Sequence, residues 1–177
     1  MSKSIQKYFT LQYYFKKPFD EMRILGGCIG AIDKGKKVPY HKHSFYEVHY
    51  ISEGKLFLEV NNNQYILGEG MLYLIPPEIL HFQKALSKVK YCYLSYNISS
   101  VNFRNLPFKK RELFVAIAPQ ESKILKIEKG ISNLFQEIIN VTDKRIALNK
   151  TMKIFSYIKN SIDLSMPIDS GVSPKFR

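Results

Sequence analysis

Two neighbouring stretches of this 177-residue chain decide its fold. Residues 41–54 read HKHSFYEVHYISEG, and residues 70–81 read GMLYLIPPEILH. If residues 41–47 are extended, the side chains at odd positions share one face, because successive side chains alternate across a strand. Two imidazoles and one carboxylate then point the same way. The first stretch therefore predicts a cluster of His41, His43 and Glu47, with His49 as a neighbour on the same face.

The second stretch supplies a further imidazole, His81, just after the Pro76-Pro77 turn. Neutral imidazole and carboxylate suit Fe, Mn, Ni, Cu or Zn, and a histidine-rich set without thiolate fits a catalytic or ligand-polarising metal better than a structural zinc. The alternative is a polar pocket that binds a small molecule without metal, and spacing does not separate the two. The predicted ligand-binding residues are His41, His43, Glu47, His49 and His81. The predicted metal ligands are His41, His43, Glu47 and His81.

The sequence around these stretches has an all-β pattern. From residue 23 to about residue 97, short β-branched and aromatic runs alternate with Gly, Asn and Pro. Gly and Asn accept positive φ, and Pro fixes φ and removes a backbone donor, so these residues mark turns. Short strands at this close spacing indicate a sandwich or a barrel. The predicted strands are residues 48–52, 56–60, 65–67, 71–75 and 91–97.

The pattern changes after Pro119, where apolar residues recur every three or four positions. This periodicity predicts an αα-hairpin over about 122–162, with Gly130 inside the first helix, a break near Thr142-Asp143 and an end at Pro167. The stripe either packs on the barrel or faces a second copy of the chain, and we expect a homodimer built on it. We divide the chain into a barrel with an N-terminal arm (1–118), a helical hairpin (119–165) and a flexible tail (166–177).

Composition narrows the class of protein. With 45% hydrophobic and 24% charged residues, the chain is ordinary globular protein. Its apolar runs are too short to span a bilayer and its N-terminus lacks a secretory signal, so we expect a cytoplasmic protein without a membrane partner. Cys28 and Cys92 are expected to be buried free thiols. The net charge is +12, but the basic groups are far apart in sequence, which favours a solvated surface over a nucleic-acid site.

The spacing of the two stretches resembles the two motifs of the cupin superfamily. The second motif departs from the family pattern at Glu78, where the family has glycine, and at Ala85, where it has asparagine. The resemblance implies a mainly β fold, a cupin-type double-stranded β-helix (jelly-roll barrel) followed by a C-terminal α-helical hairpin. It also implies that the cluster binds a divalent transition metal. The motif positions are Gly35, His41, His43, Glu47 and Gly54, and then Gly70, Pro76 and His81.

Residues 43–54 and 70–81 are also similar to the N-terminal sensor domain of AraC-family transcription regulators. That resemblance implies a small polar effector in the barrel, a homodimer through the C-terminal helices, and a role in transcription regulation. The helix-turn-helix units of the family are absent from this sequence, so we expect no specific DNA binding by this chain alone. The appended helical hairpin and the resemblance to sensor domains favour sensing over catalysis, so we expect no enzymatic activity. The alternative is a standalone metal-dependent cupin enzyme of the dioxygenase, isomerase or decarboxylase type.

Overall fold

A computed structural model of the chain describes residues 7–9, 13–14, 22–98, 116–127, 130–141 and 143–164. The predicted flexible tail lies outside these residues. Eleven strands and two helices follow one another along the described chain. The strands are β1 (Lys7–Phe9), β2 (Tyr13–Tyr14), β3 (Met22–Ile32), β4 (Lys37–His41), β5 (Tyr46–Glu53), β6 (Leu56–Val60), β7 (Asn63–Leu67), β8 (Met71–Ile75), β9 (His81–Ala85), β10 (Val89–Ile98) and β11 (Lys123–Lys126). The helices are α1 (Ile131–Asn140) and α2 (Lys144–Leu164).

The strands form two antiparallel sheets that enclose a barrel interior. The larger sheet has the order β1-β3-β10-β5-β8-β11, with β2 also paired to β3, and the smaller sheet has the order β4-β9-β6-β7. Because successive side chains of a strand point to opposite faces of the sheet, the larger sheet contributes side chains to two hydrophobic cores, one on each face. Ile51 and Tyr73 face the smaller sheet, whereas Val48 and Leu94 face the helices. The expected jelly-roll barrel of cupin type, followed by helices, is confirmed.

The first helix begins later than the periodicity predicts. Residues 123–126 form β11, in which Ile124 pairs with Tyr73 and Leu125 with Leu72 of β8. The prediction of helix over residues 122–127 is therefore wrong. Apolar residues three positions apart are compatible with a helix face. Here the segment forms a strand instead, and its backbone hydrogen-bonds with the edge of β8. Gly130, with φ of 132°, lies before α1 and not inside it. Neither described helix is long and apolar enough to cross a membrane.

The apolar faces of both helices pack on the outer face of the larger sheet. Phe135, Ile138 and Phe155 are at most 1% exposed and share a core with strand residues. The ring of Tyr96 lies 4.9 Å from that of Phe155. Most of the stripe between Ile124 and Ile162 that we expected to form a dimer is thus covered within one chain. The homodimer stays a prediction.

Some basic residues that are distant in sequence lie in neighbouring segments of the barrel. Lys37 pairs with Lys84 across β4 and β9, and the N–H of Leu86 donates to the carbonyl of Lys55 over 2.9 Å. That the basic residues form a solvated surface and not a nucleic-acid site stays a prediction.

Both cysteines are buried free thiols, as expected. Burial raises the pKa of Cys28, and it raises the pKa of Cys92 to about 12. Because the thiolate is the reactive form, we expect neither residue to react with iodoacetamide in the native protein at pH 8. Mass spectrometry should show two alkylated residues after unfolding in urea and none before. One label per native chain within minutes would contradict this prediction.

Candidate functional site

The structure brings His41, His43, Glu47 and His81 together; we call these four residues the His/Glu cluster. One ligand atom from each lies within 4.8 Å of the other three. His41, His43 and Glu47 were predicted to lie on one extended strand, but they do not. β4 ends at His41, and the chain then crosses to the larger sheet, where β5 begins at Tyr46. His81 joins from β9, in which it pairs with His41. The cluster therefore lies where the chain passes between the sheets.

Backbone carbonyls fix the orientation of the three imidazoles. The Nδ1 atoms of His41, His43 and His81 lie 2.8, 2.7 and 2.9 Å from the carbonyl oxygens of Pro39, Phe45 and Ile79. A carbonyl oxygen only accepts hydrogen bonds, so each Nδ1 carries the hydrogen and donates it. Each neutral ring then presents the lone pair of its Nε2. A backbone carbonyl that orients a histidine in this way is the usual support of a metal-binding imidazole.

The Nε2 atoms of His43, His49 and His81 lie near one carboxylate oxygen. Oε2 of Glu47 lies 2.9 Å from Nε2 of His43 and 3.4 Å from Nε2 of both His49 and His81. None of these four buried atoms makes a hydrogen bond of acceptable geometry to the residues that the structure describes. The Nε2 atoms of His43 and His81 are acceptors when their rings are neutral, so a cation near Glu47, either a proton or a metal ion, would stabilise the group.

The charges of the cluster favour an ionised carboxylate. Burial alone would raise the pKa of Glu47, but the charge of His49 and the contacts with His43, His49 and His81 outweigh it and hold that pKa well below its ordinary value. Burial likewise opposes the charge of His43, yet the contact with Glu47 outweighs it and raises the pKa of His43. The cluster is therefore a strong site for positive charge.

The residues of the cluster fit a divalent transition metal. Three imidazole nitrogens and one carboxylate oxygen are the donor set that suits Fe, Mn, Ni, Cu or Zn. The orphaned Nε2 atoms and the carbonyl-bound Nδ1 atoms are what such a site requires. Metal binding is compatible with this geometry and stays a prediction.

A cavity of about 120 Å³ lies beside the cluster, inside the barrel. His41 and Glu47 line one end, together with His49, the neighbour that alternation predicted. His43 and His81 are outside the set of described residues that line the cavity and complete the cluster from its far side. The remaining lining residues are Ile32, Val38, Ile51, Leu56, Tyr73, Gln83, Val89 and Tyr91.

The aromatic residues that surround His49 were not identified from the sequence. The ring of His49 stacks on Tyr73 at a centroid distance of 4.6 Å and lies 4.8 Å from that of Tyr93. Tyr73 and Tyr93 flank His49 in the larger sheet, on β8 and β10 respectively. Alternation within β8 and β10 predicts which side chains face the interior. It does not show which of them lie beside His49, because the register between strands cannot be read from the sequence.

Two loops are joined at the mouth of the barrel. Lys42 Nζ lies 2.8 Å from Glu78 Oε2, and the N–H of Glu78 donates to the carbonyl of His43 over 2.8 Å. Glu78 has φ of 61°, a conformation that glycine adopts readily. The departure from the cupin motif at this position therefore keeps the backbone shape of the motif, and the glutamate adds an ion pair that a glycine would lack.

Comparison with known proteins supports the family resemblance. Residues 27–105 match the family model of the AraC-like ligand binding domain, which confirms the resemblance to cupins and to AraC sensor domains over that range. The match ends before the helices. No curated protein matches the chain.

Solved structures are similar to this chain at low sequence identity. The protein YhaK from Escherichia coli has a TM-score of 0.51 and 14% identity, over 71% of this chain and 52% of that chain. An RmlC-like cupin from Shewanella frigidimarina has a TM-score of 0.39 and 20% identity, over 45% of this chain and 77% of that chain. A predicted oxalate decarboxylase from Thermotoga maritima has a TM-score of 0.39 and 15% identity, over 44% and 79%. At these identities the similarity of YhaK concerns the fold alone.

Proposed function

We propose that this chain, whose residues 27–105 match the AraC-like ligand binding domain, is the effector-binding sensor domain of a transcription regulator. The observation that carries the proposal is the cavity of about 120 Å³ beside the His/Glu cluster. A concave, mostly apolar cavity with a few converging polar groups is typical of small-molecule sites.

One strand that lines the cavity, β5, also contributes side chains to the core under the helices, which supports a sensing role. In β5, Glu47 and His49 face the cavity, whereas Val48 and Tyr50 belong to the core under the helices. A ligand that displaces β5 would therefore change the packing both around the cavity and under the helices. We expect lower hydrogen exchange in α1 and α2 when the cavity is filled.

The proposal includes no turnover of the bound molecule and no sequence-specific DNA binding by this chain alone. The competing function, a metal-dependent cupin enzyme, is favoured by the free Nε2 atoms of the His/Glu cluster. Oxygen consumption or substrate conversion by the metal-loaded protein would support that function and contradict ours.

The test is a thermal-shift screen of the purified chain against small metabolites, repeated with two matched variants. Glu47→Gln removes the buried carboxylate at nearly constant volume. Glu59→Gln removes a carboxylate that contacts Tyr40 and Gln64 on the outer face of the smaller sheet.

A compound at about 100 times its Kd should raise the melting temperature of the unmodified chain by about 5–10 °C. We expect Glu47→Gln to abolish the rise and Glu59→Gln to keep it. Equal responses in both variants would place the ligand outside the cavity and contradict the proposal.

A further inference from the structure

Along β5, the side chains that face the cavity change from polar to apolar. In β5 the inward side chains are Glu47, His49 and Ile51, spaced by about 7 Å per step. On β10, Ser95 pairs with Glu47, Tyr93 with His49, and Tyr91 with Ile51. From the carboxylate of Glu47 inward, this part of the wall therefore runs through an aromatic belt of His49, Tyr73 and Tyr93 to Ile51, which lies beside Tyr91.

The smaller sheet shows the same gradient. In β9 the inward side chains are His81, Gln83 and Ala85, and Ala85 pairs with Leu56 of β6. Gln83 is 6% exposed and adds an amide at half depth. At the end remote from the His/Glu cluster, the cavity is lined mostly by aliphatic side chains, with Tyr91 opposite Ile51. This apolar floor consists of Ile32, Ile51, Leu56 and Val89.

We propose that the effector is a small amphiphile, with its polar head at the His/Glu cluster and an unbranched or flat apolar tail on the apolar floor. This inference rests on the proposed sensor function. A hydroxyl group on the floor would lose its water without gaining a partner, at a cost of about 1–3 kcal/mol. We therefore exclude sugars and other polyols as ligands of this cavity. This restricts the chemical class of the small polar effector that the sequence predicts.

The volume of the cavity limits the length of the tail. A protein cavity of about 150 Å³ accommodates benzene, so about 120 Å³ accommodates roughly five or six non-hydrogen atoms. Each methylene buried on the floor should raise affinity about four-fold until the floor is reached. Longer tails should bind more weakly, because overfilling a packed interior forces the surrounding side chains to move.

The experiment measures affinity against chain length by isothermal titration calorimetry of the full chain. The probes are straight-chain primary amines and straight-chain carboxylates of three to eight carbons, with glycerol, erythritol and xylitol as polyols. We expect affinity in one of the two head-group series to rise about four-fold per carbon, peak when the probe has about five or six non-hydrogen atoms, head group included, and then fall. The series that responds identifies the charge of the head.

Two matched variants locate the tail. Leu56→Val enlarges the apolar floor by one methylene and should move the optimum up by about one carbon. Leu58→Val removes the same group from the same strand and interior face, where Leu58 is 0% exposed but outside the set of residues lining the cavity. It should leave the optimum unchanged. Circular dichroism at the titration temperature checks that both variants are folded.

The outcomes separate this inference from the proposed function. Polyol binding without any dependence on chain length in the other series would overturn the amphiphile and leave a sensor. Equal shifts in the Leu56→Val and Leu58→Val variants would also overturn it. Chemical conversion of a bound amine or carboxylate would instead overturn the sensor function and leave the tail-binding floor in place.

Discussion

Replacing His81 with alanine should lower the affinity of the chain for Zn²⁺ by more than about 100-fold. His81 is 0% exposed, and its Nε2 is one of the orphaned atoms facing Glu47. Loss of a residue that merely supports a metal ligand already costs about 10–100-fold in affinity, so loss of a ligand should cost more. Titration calorimetry of chelator-treated protein measures the difference.

The matched control for His81→Ala is Gln83→Leu, two residues further along β9 on the same inward face. Gln83 lines the cavity but does not belong to the His/Glu cluster. We expect its replacement to change Zn²⁺ affinity by less than about three-fold, since it offers no ligand atom to the cluster. If elemental analysis finds no Zn²⁺ in the unmodified protein after reconstitution, the four residues form a metal-free binding pocket instead.

Replacing Ile138 with glutamate should lower the free energy of unfolding by more than about 4 kcal/mol. Ile138 is 1% exposed and packs in the core between the helices and the larger sheet. An unpaired carboxylate in that core is among the most destabilising single changes. If the stripe formed only a dimer interface, a charge on it would separate the dimer without unfolding the chain. The structure predicts unfolding, to be measured by urea denaturation.

The control for this prediction is Ile146→Glu, because Ile146 in α2 is 45% exposed. Its replacement should change the free energy of unfolding by less than about 0.5 kcal/mol. Ile138→Val provides a milder core change that should cost about 0.5–1.5 kcal/mol. A Ile138→Glu variant that keeps its stability but sediments as a smaller species would contradict our placement of the stripe and favour the helix-mediated dimer.

Local pattern was sufficient to identify the barrel and the residues of the His/Glu cluster. Alternation placed Glu47 and His49 on one inward face, and the turn residues bounded the strands of the barrel. Gly54 illustrates why a motif residue is required. Its φ is 93°, and an added Cβ would lie 2.1 Å from the carbonyl oxygen of Lys88. Such requirements are local, so they are visible in one sequence.

Helical periodicity after Pro119 was the weaker signal. Apolar residues three apart occur on a helix face and also in a strand that is covered on both sides, and length alone distinguishes them. Residues 123–126 form a strand because β8 has an edge to pair with. The choice between a stripe that packs on the barrel and a stripe that forms a dimer depended on the outer face of the larger sheet, which is assembled from strands distant in sequence.

The sequence by itself therefore determined the class of fold, the strand spacing and the chemistry of the four clustered side chains. Only the tertiary structure decided where the chain crosses between sheets and which carbonyls orient the imidazoles. It also decided that an aromatic belt lies beside the cluster and an apolar floor at the far end of the cavity. The reason is physical. Backbone conformation and side-chain alternation depend on near neighbours, whereas the register between strands, and with it the wall of the cavity, is set by packing between residues that are far apart in the chain.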